Sequence, residues 1–352
     1  MRKWLNPRSA FGIALIAAAL IALSFVAAMG GQAWVRILNF AILYVFLALG
    51  LNIVVGFAGL LDLGYIAFYA VGAYTYALLA SPHFGLHWPF WVILPIGAAV
   101  ACLFGVLLGS PTLKLRGDYL AIVTLGFGEI VRIFLNNLNA PINVTNGPQG
   151  ITLIDPVAFG DFRFSGTSQI LGVSLSGPQK YYFLLVALAI FVIIINLRLQ
   201  NSRIGRAWQA IREDEIAAKA IGINTRNLKL LAFAMGASFG GVAGGVFSAM
   251  QGFVSPESFS LIESIMILAM VVLGGMGHIP GVILGAVLLS ILPEVLRYGV
   301  GPLQMALFGK MLIDPESLRM LIFGLALVLV MRFKPAGLWP SPERKRELTE
   351  AS

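Results

Sequence analysis

The chain has 352 residues, of which 59% are hydrophobic and only 11% are charged, and its formal net charge at pH 7 is +8. About 25% of the residues of an average soluble domain are charged, so this composition excludes an ordinary soluble enzyme and indicates a membrane protein. The single cysteine, Cys102, lies in an apolar stretch, so neither a disulfide nor a thiolate metal site is expected.

Apolar stretches divide the chain into ten candidate membrane spans, each close to the length of about 17–25 residues that crosses a bilayer. We place them at 11–29, 36–53, 64–80, 90–109, 118–138, 181–197, 230–250, 263–277, 281–298 and 318–333. The sequence therefore predicts an all-α polytopic membrane protein, in which some spans are candidates for broken helices. Residues 1–10 form an N-terminal segment, 11–333 the transmembrane domain and 334–352 a C-terminal tail.

Basic residues predict the orientation. An even number of crossings puts both termini on one side, and most of the 24 lysines and arginines fall on that side, including those of the loop 198–229. Both termini and this loop are therefore predicted to be cytoplasmic, and the positive charge needs no nucleic-acid partner. The apolar run at 11–29 is compatible with a signal peptide, but it exceeds the usual apolar core of about 7–15 residues, which favours an uncleaved anchor.

Two stretches interrupt the apolar pattern. Asn52–Gly64 places Asp62 and several glycines between two spans, and Gly274–Gly285 contains five glycines and His278. Non-helical backbone at membrane depth is tolerated only beside protein or water, and paired interruptions often mark a transport pathway. Asn52, Asp62 and His278 are therefore candidate pathway residues. Two tight loops between helical hairpins would give the same pattern, and Asp62 could equally cap the third span.

Charged and small residues inside other spans add three pathway candidates. Glu129 lies three residues before Arg132 on the fifth span, where the two can pair across one helical turn. Such pairing favours a structural role, although an intramembrane carboxylate can also face a water-filled path. In the seventh span, Gly241 and Gly245 belong to overlapping G-x-x-x-G spacings, which suit close helix packing or the border of a permeation route.

Residues 139–180 form the largest segment predicted on the outer side. Its four prolines and short alternating apolar runs, such as Val157–Phe164, favour a small β-hairpin or an irregular cap over a further span.

The sequence lacks motifs for catalysis, metal binding and nucleotide binding. No G-x-x-x-x-G-K-[S/T] phosphate loop occurs, and the three histidines show no metal-ligand clustering. No nucleophile–base pair stands out either. The chain is therefore predicted not to be an enzyme and to bind no cofactor itself. Active transport would then require a partner subunit or an ion gradient.

The segment Ser202–Lys229 is a polar, charged island in this apolar chain. Ser202 can cap a first short helix with an apolar stripe on one face, and Asp214 can cap a second, running from Glu215 to Ile221. Gly222 supplies a left-handed stop before the next span.

The second short helix carries features suited to a contact surface. Glu215 and Lys219 form an i,i+4 pair in the favourable order, and the small Ala217 and Ala218 are expected to be exposed for close contact. The residues alone leave two interpretations open, a partner-binding surface and an interfacial amphipathic helix without a partner.

The segment resembles the cytoplasmic coupling loop of ABC importer permeases, whose pattern is E-A-A, three residues and G. Ala217, Ala218 and Gly222 match it, whereas Ile216 stands at the glutamate position and Glu215 lies one place earlier. That departure is similar to the LivM-type branched-chain amino acid permeases. The resemblance extends through GLLDLGYIAFYAVGAYTYALL (59–79), RGDYLAIVTLGFGEIVRIFLNN (116–137), NVTNGPQGI (143–151), REDEIAAKAIGIN (212–224) and GGMGHIPGVILGAVLLSILPE (274–294).

The resemblance implies a permease subunit of an importer in the bacterial inner membrane. It implies four kinds of partner: a second homologous permease, two cytoplasmic ATPases that use ATP and Mg, an extracytoplasmic binding protein and the lipid bilayer. Outer loops, of which 139–180 is the largest, would dock the binding protein. The residues that the resemblance assigns to ATPase coupling are Arg212, Glu213, Asp214, Glu215, Ala217, Ala218 and Gly222.

Three functions remain in competition. The first is import of branched-chain or similar small amino acids, and the second is import of urea or short-chain amides by a similar permease. The third, an ion-coupled secondary carrier, would need no ATPase but would need an available carboxylate, for which Asp62 is the only obvious candidate. The sequence does not identify the substrate.

Overall fold

A computed structural model describes residues 19–112, 115, 117–160, 162–170, 173–308, 321, 324–325, 328–329, 332–333 and 337–340, which are mainly α-helical. The helices are α1 (Ala19–Met29), α2 (Gln32–Asn52), α3 (Ile66–Leu79), α4 (Phe90–Thr112), α5 (Asp118–Asn137), α6 (Gly177–Gln200), α7 (Arg203–Glu213), α8 (Glu215–Ala220), α9 (Thr225–Gln251), α10 (Leu261–Gly274) and α11 (Ile279–Phe308). The strands are β1 (Ile151–Thr152), β2 (Ala158–Phe159), β3 (Phe162–Arg163), β4 (Ser168–Ile170), β5 (Val173–Leu175) and β6 (Phe253–Val254).

Most of the predicted spans coincide with these helices. Among the described residues, seven helices are long and apolar enough to cross a membrane. The second to ninth predicted spans match α2–α6 and α9–α11, and α1 matches the end of the first. Most of the tenth, 318–333, lies outside the described residues. The polytopic all-α class is thereby confirmed, whereas the count of ten spans stays a prediction.

Helix α9 lies at the centre of the bundle and packs against α2, α3 and α4. Its glycines allow contact at backbone distance. A Cβ atom at Gly241 would lie 2.7 Å from the carbonyl oxygen of Gly97 on α4, and one at Gly244 would lie 2.1 Å from that of Tyr69 on α3. Without a hydrophobic driving force between helices in lipid, such close packing is what holds a bundle together.

Each of the two predicted interruptions contains a non-helical stretch in the structure. Helix α2 continues as a π-helix at Ile53–Phe57, after which the chain is irregular until α3 begins at Ile66. A second irregular stretch, 275–278, connects α10 to α11. Each stretch joins two consecutive helices, as the tight-loop alternative predicts. The π-helix was not predicted from the sequence.

Strands lie at one end of the bundle, which we call the outer end, whereas α7 and α8 lie at the opposite, inner end. The segment between α5 and α6, which we call the cap (residues 138–176), contains the antiparallel hairpins β2–β3 and β4–β5. Since β2–β3 lies within Val157–Phe164, the predicted hairpin is confirmed. The antiparallel pairing of β1 with β6, which directly follows α9, was not predicted.

Candidate functional site

Side-chain caps fix the starts of the two short helices at the inner end. Ser202 Oγ accepts a hydrogen bond from the backbone N–H of Gly205 (3.1 Å) and starts α7. Asp214 Oδ1 accepts from the backbone N–H groups of Ile216 (2.7 Å) and Ala217 (3.0 Å) and starts α8. All three bonds satisfy N–H groups that have no partner within their helix. The two predicted caps are therefore confirmed.

Helix α7 is attached to the bundle by its apolar face. The side chains of Trp208 and Ile211 are buried, and those of Ile204 and Ala207 are half-buried. The indole N–H of Trp208 donates to the backbone oxygen of Leu228 on α9, at 2.7 Å. The predicted apolar stripe is thus confirmed, and it contacts protein of the same chain.

Helix α8 presents an apolar face to its surroundings. Ile216 is 69% exposed and Ile221 is 75% exposed, and Ala217 and Ala220 are exposed beside them. The prediction that both alanines are exposed is wrong for Ala218, which is only 2% exposed. The reason is the orientation of α8, because adjacent residues on a helix point about 100° apart and Ala218 is the one that faces the core of the bundle. We call Ile216, Ala217, Ala220 and Ile221 the α8 face.

Glu215, the displaced glutamate, holds α8 against the start of α9. Its carboxylate pairs with Lys219 (3.0 Å), as predicted, and with the largely buried Lys229 (2.7 Å), which was not predicted. Thr225 Oγ1 also donates to it, at 3.4 Å. Partial burial acts to raise the pKa of Glu215, but hydrogen bonds and charge from Lys229 and Lys219 outweigh it and lower the pKa to about 2. The carboxylate is therefore charged at neutral pH.

Gly222 ends the segment in the predicted left-handed conformation, with a φ of 86°. Only glycine adopts this conformation without strain, so the residue lets the chain turn sharply from α8 into α9. Asn224 then caps α9 by accepting a hydrogen bond from the backbone N–H of Asn227, at 3.1 Å.

Arg212, in the last turn of α7, connects the segment to the π-helix that ends α2. Its Nη1 donates to the backbone oxygen of Gly56, at 2.5 Å. Gly59 and Gly277 surround the same side chain, since a Cβ at Gly59 would lie 2.7 Å from Arg212 Cγ and one at Gly277 would lie 3.0 Å from Nη1. The neighbouring coupling candidates Glu213 and Asp214 are exposed at the turn between α7 and α8.

The two interruptions meet beside Arg212. Asn52 is fully buried, and its Oδ1 accepts a hydrogen bond from the backbone N–H of Gly277, at 2.8 Å. Gly56 must be small there, because a Cβ atom would lie 2.0 Å from Asn52 Oδ1 and 2.6 Å from Gly277 N. Gln200, at the end of α6, donates to Gly277 O at 3.4 Å. We call Asn52, Gly56, Arg212 and Gly277 the junction.

Asp62 lies in the irregular stretch before α3 and is fully buried. Its Oδ1 accepts from the backbone N–H of Gly64, two residues ahead, at 2.8 Å, while Oδ2 has no hydrogen-bond partner among the described residues. The adjacent Leu63 bonds to Thr124 on α5 and to Ser264 on α10. Asp62 therefore shapes the turn that precedes α3.

The remaining pathway candidates make contacts within the chain. His278 Nδ1 lies 2.8 Å from the backbone oxygen of Trp339, which brings residues 337–340 to the inner end. Glu129 pairs with Arg132, as predicted, and Arg132 also reaches Glu257 at 3.5 Å. Gly241 contacts α3 and α4 at backbone distance, and Gly245 lies against Leu94 and Tyr76. None of these contacts tests a role in permeation.

Comparison with known proteins gives a consistent result. Residues 33–331 match the family described as "Branched-chain amino acid transport system / permease component". The chain is 46% identical over 326 residues to the high-affinity branched-chain amino acid transport system permease protein LivM of Escherichia coli (strain K12), which covers 89% of this chain and 71% of that protein.

More distant relatives include a second type of permease. A probable LivM of Methanocaldococcus jannaschii is 27% identical over 297 residues, covering 81% of this chain and 79% of that protein. The permease protein LivH of Escherichia coli (strain K12) is 25% identical over 306 residues, covering 85% and 92%. No solved structure matches the chain significantly.

Proposed function

This chain belongs to the family of branched-chain amino acid transport permease components, and we propose that it is the inner-membrane permease subunit of an ATP-driven importer for leucine, isoleucine, valine or similar small amino acids. The observation that carries this proposal is the exposed α8 face on an otherwise polar segment. The exposed isoleucines and alanines of this short helix form one apolar patch, and such a patch favours a partner-binding surface.

The partners proposed are a second homologous permease, two cytoplasmic ATPases that use ATP and Mg, and an extracytoplasmic binding protein. Relatives named LivM and LivH support a pair of different permeases. The missing phosphate loop supports separate ATPases, because the chain has no nucleotide-binding motif of its own. The α8 face would dock in an ATPase, and the cap would contact the binding protein.

The proposed mechanism passes through the junction. Closure of the ATPases on ATP would move α8, and Glu215 and Trp208 make α8 and α7 move with α9. Arg212 would transmit the same movement to the end of α2, and Asn52 would pass it to the stretch between α10 and α11. Arg212 and Asn52 would thus connect the segment to the two helix connections that are predicted to border the pathway.

For the topology we propose ten spans with both termini cytoplasmic. The bias of basic residues toward the inner end supports this orientation. The contact of Trp339 with His278 also supports it, since residues 337–340 lie at the end of the bundle that carries α7 and α8.

For the path we propose the face that bears Glu129, Arg132 and Glu257. Their side chains are 37%, 27% and 67% exposed in the isolated chain. Ionisable groups within a span face protein or water rather than lipid, so this face should border the path or the second permease. The contacts of Gly241 and Gly245 instead favour a packing role, and those of His278 favour attachment of the C-terminal stretch.

The two competing functions differ in what they require. Import of urea or short-chain amides would use the same architecture, and the substrates printed in the names of the relatives favour amino acids. An ion-coupled carrier would work without ATPases, and α8 would then be the interfacial helix without a partner.

The test is replacement of Ile221 by glutamate in the complex reconstituted with its partners. Burial of an isoleucine side chain contributes about 1.5–3 kcal/mol, so ATPase association should weaken about 10- to 150-fold. Leu153→Glu, at an equally exposed apolar residue of the cap, is the matched control and should leave ATPase association unchanged. Equal association of the Ile221 variant and the wild type would refute the docking role of α8.

A further inference from the structure

A cavity of about 490 Å³ opens at the outer end of the bundle. The starts of α2 and α6, the end of α9 and the cap surround it. Its volume falls within the range of about 300–1,000 Å³ that is typical of small-molecule sites. None of the roles described above uses this cavity.

One wall of the cavity is positive. Arg36 lies near the N-terminus of α2, where the helix dipole adds to its charge, and it forms no ion pair with another described residue. Arg36 also lines a neighbouring groove together with Glu294, but the carboxylate of Glu294 is paired with Arg297, at 3.6 Å. The guanidinium of Arg36 is therefore available to an anionic group inside the cavity.

Other lining residues offer hydrogen-bond acceptors. The last residues of α9 line the cavity, and the final carbonyl groups of a helix carry the negative end of its dipole. Ser248 O accepts from the N–H of Gly252 and Ala249 O accepts from the hydroxyl of Tyr181, so the acceptors offered to a ligand are the carbonyl groups of Met250 and Gln251. Asn39, which is 1% exposed, adds a polar group to the lining. Its Nδ2 donates to Pro178 O at 2.9 Å, and its Oδ1 has no hydrogen-bond partner among the described residues.

Apolar side chains complete the lining. Phe40, Ile154 and Phe164 contribute aromatic and aliphatic surface to the cavity. A ligand that fits this pattern carries a negative group, a positive group and an apolar group together.

We propose that the cavity is a binding site for a zwitterionic α-amino acid with an apolar side chain. Arg36 binds the carboxylate, the carbonyl groups at the end of α9 bind the ammonium group, and Phe40, Ile154 and Phe164 contact the side chain. The inference rests on the proposed function for its ligand class. It adds that the permease itself binds the substrate at the outer end.

The test measures binding of radiolabelled L-leucine to the purified permease–ATPase complex in lipid nanodiscs, without the binding protein. Wild-type complex should bind leucine saturably, and Arg36→Gln should weaken binding about 10- to 150-fold, the loss expected for one hydrogen bond between charged groups. Arg206→Gln, at an exposed arginine of the inner end, is the control and should bind as the wild type does. Ser165→Trp, at an exposed residue that lines the cavity, should block binding by filling it.

Two leucine analogues test the carboxylate contact and the ammonium contact one at a time. Isoamylamine, which lacks the carboxylate, and 4-methylpentanoate, which lacks the ammonium group, should both compete more weakly than leucine. The Arg36 variant should lose affinity for 4-methylpentanoate but not for isoamylamine. Equal competition by 4-methylpentanoate and leucine would overturn the inference, because it would show a simple anion site such as one for a lipid phosphate.

The same preparation separates the two proposals. If wild-type complex takes up leucine with ATP and binding protein but binds none without the binding protein, the outer site is refuted and the proposed function stands. If it binds leucine with the predicted Arg36 dependence but shows no ATP-driven uptake, the importer function is refuted and the site stands.

Discussion

Replacing Arg212 with glutamine should separate ATP hydrolysis from transport. The Nη1 of Arg212 donates to the backbone oxygen of Gly56 at 2.5 Å, across a partly buried contact between α7 and the end of α2. A hydrogen bond from a charged donor contributes about 1.5–3 kcal/mol, which corresponds to about 10- to 150-fold in an equilibrium constant. Loss of this bond should reduce the leucine imported per ATP hydrolysed by at least about tenfold.

The assay is uptake and phosphate release measured together in proteoliposomes that contain the complete importer. Arg206→Gln is the matched control. Arg206 lies on the same helix, and among the described residues its side chain donates only to Asn201 O, at 3.0 Å, within the inner segment. Both variants leave the α8 face intact, so ATPase association should equal that of the wild type. An unchanged ratio of uptake to hydrolysis in the Arg212 variant would refute the proposed role of the junction.

Three further perturbations probe neighbouring features. Gly222→Val places a β-branched residue at a φ of 86°, which costs at least about 1–2 kcal/mol. Hydrogen exchange in α8 should therefore accelerate while membrane insertion persists, and an unchanged exchange rate would contradict the role of Gly222 as the stop of α8. The pKa of Glu215 is about 2 in the folded chain and 4.5 ordinarily, so its contact with Lys229 should persist above pH 5 and weaken only as the pH falls from about 4.5 toward 2. Loss of hydrogen-exchange protection in α8 between pH 5 and 8 would be evidence against this contact. Asp62→Asn keeps an oxygen for the bond from Gly64, so ATP-driven uptake should persist, and it should be independent of the proton gradient because an importer needs no coupling carboxylate. Abolition of wild-type uptake by an uncoupler at constant ATP would support a carrier instead.

The sequence predicted local features well because each depends on a few adjacent residues. The caps at Ser202 and Asp214 and the stop at Gly222 follow from short side chains and backbone freedom, and the structure contains all three. The hairpin within Val157–Phe164 follows from a similar local pattern.

Contacts between distant residues could not be predicted in this way. The bond from Arg212 to Gly56 and the pairing of Glu215 with Lys229 depend on how α7 and α8 lie against α2 and α9. The exposure of Ile216 and the burial of Ala218 could not be predicted either, because a match to the coupling pattern does not specify which residues of a helix face outward.

The pairing of β1 with β6 also constrains the order in which the molecule is assembled. Strand β1 precedes α6 in the chain, whereas β6 follows α9, so four helices are synthesised between the two partners. The ladder cannot close until α9 has emerged at the outer end. A chain arrested before that point would expose the backbone groups of β1, which makes closure of this two-stranded sheet a late marker of correct membrane biogenesis.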